Sequence, residues 1–142
     1  MNTPVSFETA KLLKNKGFKE PLDSRNNYWN ADGSSIQPYK WFTQEELADH
    51  IDAPTIAEVV MWLYEKYWIW ITVRREFVGS DEWEFSYIIS YLPKEFIKAK
   101  KRSIHFKTIE SFKENIGSYQ GAWFLPKEAY EKAIEYTLKN LI

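Results

Sequence analysis

The chain has no cysteine. That excludes a disulfide framework, a zinc-thiolate centre and a cysteine nucleophile together, and it fits a reducing compartment. Histidine is nearly as scarce, with two residues, His50 and His105. Neither has a His, Asp or Glu partner at the spacing of a metal motif. Asp49 and Asp52 flank His50, but close neighbours on a helix do not share a face, so no ligand set is expected there. The five glycines form neither a dinucleotide fingerprint nor a phosphate loop, and there is no Gly-x-Ser-x-Gly elbow. With Gly33 at the sixth position of a calcium loop, Tyr28 and Tyr39 would stand first and twelfth, and neither is a carboxylate. An excess of one charge is also missing. Nineteen basic and 20 acidic side chains leave a net charge of -1, which gives no global pull toward nucleic acid or an anionic membrane. No apolar run reaches the ~20 residues that span a bilayer, since the most apolar stretch, Val59 to Val73, contains Glu65 and Lys66. Glu8, Lys11 and Lys14 break the first residues, so no secretory signal is expected. These absences predict a cytoplasmic protein with no metal, no cofactor and no membrane contact.

What the chain does have is aromatic side chains, 18% of 142 residues, with seven Trp. Each ring buries ~150–250 Å², so a small core is filled by few large groups. Trp and Tyr are also favoured at interfaces. The length suits one domain, 1–142, with residues 94–122 expected as an insertion or a less regular segment.

Ser6 is placed to cap a first helix carrying Phe7, Ala10 and Leu13, and Gly17 to end it. Residues 22 to 42 read as irregular around the turn dipeptide Asp32-Gly33. Here either a short two-stranded excursion or a loop pinned by its rings is expected. Thr43 and Glu46 form a capping box for a helix to about His50. Asp52 and Pro54 are expected to open a stronger helix with Ile56, Val59, Val60, Leu63 and Tyr67 on one side. Trp68 to Val73 and Trp83 to Leu92 read as strands around a Gly79-Ser80-Asp81-Glu82 turn, an antiparallel hairpin. Its inward side chains are expected to include Ile69, Ile71, Val73, Phe85, Tyr87 and Ile89. Ser103 to Lys107 alternates like a short strand, Thr108 to Asn115 suits a short helix ending at Gly117, and Trp123 to Leu125 suits a further strand. The last helix carries Tyr130, Ala133, Ile134, Leu138 and Leu141 on its buried stripe. The predicted class is α+β, a small antiparallel sheet with a central hairpin and helices packed on one face.

Three constellations compete for function. Thr43 to Leu63 imitates a helix-turn-helix, but Asp52 stands at the tight turn. The would-be recognition helix carries Glu58 and no Arg, so it does not suit phosphate or guanine. The segment Lys94 to Lys107 sets Lys94, Lys98, Lys100, Lys101, Arg102 and Lys107 against Glu95 alone. It offers a nucleic-acid contact, with a solvated loop as the plainer reading. An enzyme would have to assemble its site from scattered residues such as Asp81, Glu84 and His105; no catalytic residue is expected.

The run Val5 to Phe18, the Tyr28-Trp29 to Gly33 loop, Ala53-Pro54-Thr55 leading to Trp62-Leu63-Tyr64-Glu65-Lys66, and the closing Ala129 to Ile142 follow one another in order. In this the chain resembles a group of small uncharacterised proteins encoded by phages and prophages of gut anaerobic bacteria. The resemblance implies origin in a mobile element and supplies no activity or site. The expected function is therefore that of a non-catalytic accessory protein that binds another protein, with self-association into a dimer as the simplest case. Tyr28, Trp29, Tyr39 and Trp41 are the candidate contacts, at least two of them projecting from their loop. Trp29, Tyr39 and Trp41 also suit a carbohydrate. Nucleic-acid association is the alternative.

Overall fold

The computed structural model describes residues 2–20, 26–79, 82–91, 111–120 and 126–142. Ser6 caps α1 (Phe7–Asn15), its hydroxyl accepting a hydrogen bond from the Thr9 amide at 3.2 Å. Gly17 follows at φ +83°, the left-handed conformation in which helices commonly end on glycine. Sequence and structure agree on both signals.

β1 (Asn27–Trp29) and β2 (Ile36–Pro38) form an antiparallel hairpin with Trp29 opposite Ile36. Gly33 turns the chain at φ +73°, and a Cβ there would stand 2.2 Å from the Phe7 ring. The Asp32 carboxylate accepts from the Ser34 amide at 2.9 Å. These bonds hold its pKa below the usual value, the Ser34 side chain contributing most. Of the two expectations for this region, the hairpin is realised.

α2 (Gln44–Ala48) starts from the Thr43 cap as expected and stops before His50. The chain then forms β3 (Ile51–Asp52), which pairs with the free edge of β1, giving the order β2-β1-β3. Asp52 therefore does not open the next helix. Thr55 does, in a reciprocal capping box with Glu58: the Thr55 hydroxyl accepts from the Glu58 amide at 3.3 Å, and the Glu58 carboxylate accepts from the Thr55 amide at 2.6 Å. The helix that follows is α3 (Ile56–Tyr67).

β4 (Ile69–Gly79) and β5 (Glu82–Tyr91) pair antiparallel, with Ile69 opposite Tyr91, Ile71 opposite Ile89 and Val73 opposite Tyr87. This is the register that the alternation requires. Ile69, Ile71, Tyr87 and Ile89 are buried and Val73 is half-buried; the side chain of Phe85 lies outside the described residues. Trp68 belongs to the helix end and not to the strand.

β6 (Ser111–Gln120) adds to β5, giving the order β4-β5-β6. This corrects the helix expected over Thr108 to Asn115. With β4 alone as partner, β5 would present a row of unpaired N–H and C=O groups, and pairing outweighs local propensity. Glu84 faces Ser118 and Ser86 faces Asn115, so β6 carries one extra residue at Ile116-Gly117, a bulge of the kind glycine favours. The expected strands at Ser103 to Lys107 and Trp123 to Leu125 lie outside the described residues.

α4 (Lys127–Asn140) closes the fold. It packs with α3 on the buried face of the larger sheet and touches α1. Val59, Leu63, Ile134, Leu138 and Ile89 are fully buried in the shared core, joined by Leu13 from α1. The Glu131 carboxylate of α4 accepts from the Ser6 amide at 2.6 Å and from the Thr9 hydroxyl at 2.7 Å. That fixes a negative charge at the positive end of α1. The architecture is α+β. No described helix is long and apolar enough to cross a membrane.

Candidate protein-contact surface

The four loop rings do not form the expected surface. Tyr28 is fully buried, enclosed by Phe42 at 6.0 Å, His50 at 4.9 Å and Tyr39 at 6.4 Å between ring centroids. Trp29 is half-buried edge-on to Phe7 at 5.6 Å, its indole nitrogen enclosed without a hydrogen-bond partner among the described residues. Tyr39 is half-buried as well. Only Trp41 projects, 64% exposed. The reason is β3: by pairing with β1 it brings His50 onto Tyr28, while α1 brings Phe7 onto Trp29. The rings pin the small sheet.

His50 also differs from its helical reading. It lies past the end of α2, next to the extended pair Ile51–Asp52, where alternate residues share a face. Its Nδ1 is 2.8 Å from the Leu47 carbonyl and its Nε2 is 2.9 Å from Asp52 Oδ1. The second contact has ion-pair distance without hydrogen-bond alignment. Asp52 Oδ2 accepts from the Glu20 amide at 3.2 Å. These contacts tie α2, β3 and the segment after α1 together. Among the described residues there is no group of three or more His, Asp or Glu placed to hold a metal ion.

Lys98, Lys100, Lys101, Arg102 and Lys107, the candidate nucleic-acid contacts, lie outside the described residues, as do Asp81, His105 and the side chain of Glu84.

A different group of rings is exposed. Among the described residues the exposed large apolar side chains are Trp41, Met61, Trp68 and Trp70; Trp68 and Trp70 follow the end of α3, and Met61 lies within the helix. Met61, Tyr64 and Trp68 stand at i, i+3 and i+7, one face of the helix. Ile69 and Ile71 point into the core, so Trp70 between them must point out. Tyr64 joins the set, its ring 6.0 Å from Trp68 and 5.3 Å from Trp70, edge-on to the latter.

Trp68 holds this group at a cost. It is the only non-glycine residue with positive φ among the described residues, at φ 56° and ψ 37°. It ends α3 by donating its amide to the Tyr64 carbonyl at 3.0 Å. Where a helix ends on a left-handed residue, that residue is usually glycine, because an L side chain there costs ~1–2 kcal/mol.

Beside this face of α3 lies an open groove of about 400 Å³ between the helix and the segment Phe18–Glu20. Phe18, Ala57, Met61 and Trp62 give it an apolar floor, and Lys19, Glu20, Glu58 and Glu65 rim it. Trp62 is held edge-on to Phe18 at 5.3 Å and to Tyr67 at 5.3 Å. The pKa of Glu20 is pushed up to about 7, first by burial and then by the charges of Glu58 and Asp52.

Sequence reasoning missed Tyr64, Trp68 and Trp70 as a surface, although the strand alternation that buries Ile69 and Ile71 already turns Trp70 outward. No family model matches the chain, and no curated protein or solved structure proves similar to it.

Proposed function

We propose that the chain is a non-catalytic accessory protein that acts by binding another protein, with Tyr64, Trp68 and Trp70 at the centre of the contact. One observation carries this reading: Trp68 occupies a left-handed backbone position while remaining 41% exposed. Folding alone favours glycine there. Strain kept in order to present a ring to solvent is the mark of a functional position. The neighbours support it, because Trp, Tyr and Met are the side chains enriched in contact cores, and a few such rings dominate binding energy. Three partly exposed rings make an anchor within a contact rather than the ~800 Å² per partner of a standard interface, which favours a different protein over a second copy. Origin in a phage or other mobile element, as the ordered resemblance implies, suits an adaptor of this kind.

The test is capture from cells that naturally express the chain, comparing wild type with a Trp68→Ala/Trp70→Ala double variant and with Trp41→Ala. A protein retained by wild type and by Trp41→Ala but lost from the double variant supports the proposal. Equal retention by all three contradicts it.

A further inference from the structure

We infer that the groove beside α3 receives a basic amphipathic segment of the partner protein, lying along the helix with its apolar residues on Phe18, Met61 and Trp62 and its ammonium or guanidinium groups toward Glu20, Glu58 and Glu65. The inference rests on the reading of the chain as a protein-binding module and assigns the chemistry of what it binds.

Two features of the groove select this occupant. Its floor is apolar and already open, since Met61 in its lining is 46% exposed. Methionine suits such a floor because its flexible, polarizable side chain adapts to different apolar residues. The rim then sets the sign of the partner's charge: three carboxylates stand against two ammonium groups, that of Lys19 at the rim and that of Lys66, 5.3 Å over the Trp62 ring. An acidic or neutral segment placed here would leave those carboxylates partly desolvated without a counter-charge. A basic one supplies it. The elevated Glu20 pKa agrees, because it reflects burial together with the negative charges of Glu58 and Asp52.

The shape agrees with a helical or extended segment of modest length. The lining residues of α3 run from Ala57 to Glu65, ~12 Å along the helix, the reach of about two turns of a facing helix. Met61 lies in both surfaces, at the groove floor and on the helix face of Tyr64 and Trp68. A segment seated in the groove can therefore reach the exposed rings without leaving α3, which is helix-in-groove recognition with anchors at helical spacing.

The experiment titrates the full chain with a fourteen-residue Leu/Lys peptide patterned as an amphipathic helix, and with its Leu/Glu counterpart, following intrinsic Trp fluorescence and calorimetric heat. The Leu/Lys peptide is expected to bind at least tenfold tighter than Leu/Glu and to weaken as salt rises. Glu65→Lys and Met61→Ser are each expected to reduce its affinity at least fivefold, while Trp41→Ala leaves it unchanged. Circular dichroism and the melting temperature confirm that each variant is folded. Equal binding of the two peptides, binding of neither, or an unaltered affinity in Glu65→Lys overturns the inference. So does sedimentation as a dimer that Met61→Ser dissociates, which would make a second copy the occupant. If the Trp68→Ala/Trp70→Ala variant loses a cellular partner while the Leu/Lys peptide fails to bind, the inference fails and the proposed function stands. Peptide binding without such a partner has the reverse meaning.

Discussion

Trp68 can be replaced in two ways that separate its ring from its backbone. Trp68→Ala removes the ring and keeps an L residue at φ 56°. Trp68→Gly removes the same ring and the backbone penalty with it. The residue is 41% exposed, so a little over half of a ring side chain's ~150–250 Å² is covered. At ~25 cal/mol per Å² that burial is worth at most about 4 kcal/mol, lost in both variants. The left-handed conformation costs alanine ~1–2 kcal/mol and glycine nothing. Glycine's extra freedom in the unfolded chain takes back ~0.5–1 kcal/mol. Glycine should therefore exceed alanine by about 0.5–1 kcal/mol, although alanine leads by roughly 1 kcal/mol inside a helix. Urea denaturation followed by far-UV circular dichroism reads the order directly, provided the slopes agree. Alanine equal to or above glycine would refute the strain at Trp68, and with it the argument that the ring is kept for a purpose other than folding.

Other consequences follow from the same geometry. Leu63→Ala and Leu138→Ala should each cost ~2–5 kcal/mol, because both side chains are fully buried in the core shared by α3, α4 and the larger sheet; an unchanged urea midpoint for either contradicts that packing. Gly33→Ala should destabilise by ~2–4 kcal/mol, combining a left-handed alanine with a methyl forced against the Phe7 ring; a variant as stable as wild type would show that the turn can move off α1. Glu20 ionises near pH 4.5 when unfolded and near pH 7 when folded, so the folded state binds the extra proton between those values and stability falls as pH rises through that window. Glu20→Gln should flatten the decline, raising the melting temperature at pH 8 and leaving it unchanged at pH 4, where the carboxyl is protonated in both states. A gain of equal size at both pH values would point to a packing effect instead.

Much of the fold was legible because local signals are short and self-contained. Ser6, Gly17 and Thr43 each act within one turn of chain, and all three work where the sequence places them. The hairpin was legible because Ile69 and Ile71 alternate against Tyr87 and Ile89 and only one register buries both sets. β3 and β6 were not, because neither carries a pattern of its own. Two residues at Ile51–Asp52 become a strand only because β1 offers an edge, and Ser111 to Gln120 only because β5 does. The surface was missed for a related reason. An aromatic residue in a Gly- and Ser-rich loop looks exposed until a distant strand covers it, as happens to Tyr28. Trp68 looks like part of a strand until its φ shows that the helix ends on it.

The most direct test of the protein-contact reading is hydroxyl-radical footprinting of the indole rings, in the free chain and in complex with the captured partner. Trp68, Trp70 and Trp41 should all be modified in the free chain. In the complex, modification of Trp68 and Trp70 should fall severalfold while that of Trp41 persists. Undiminished modification of Trp68 and Trp70 in a saturated complex would place the contact elsewhere on the molecule and contradict the account.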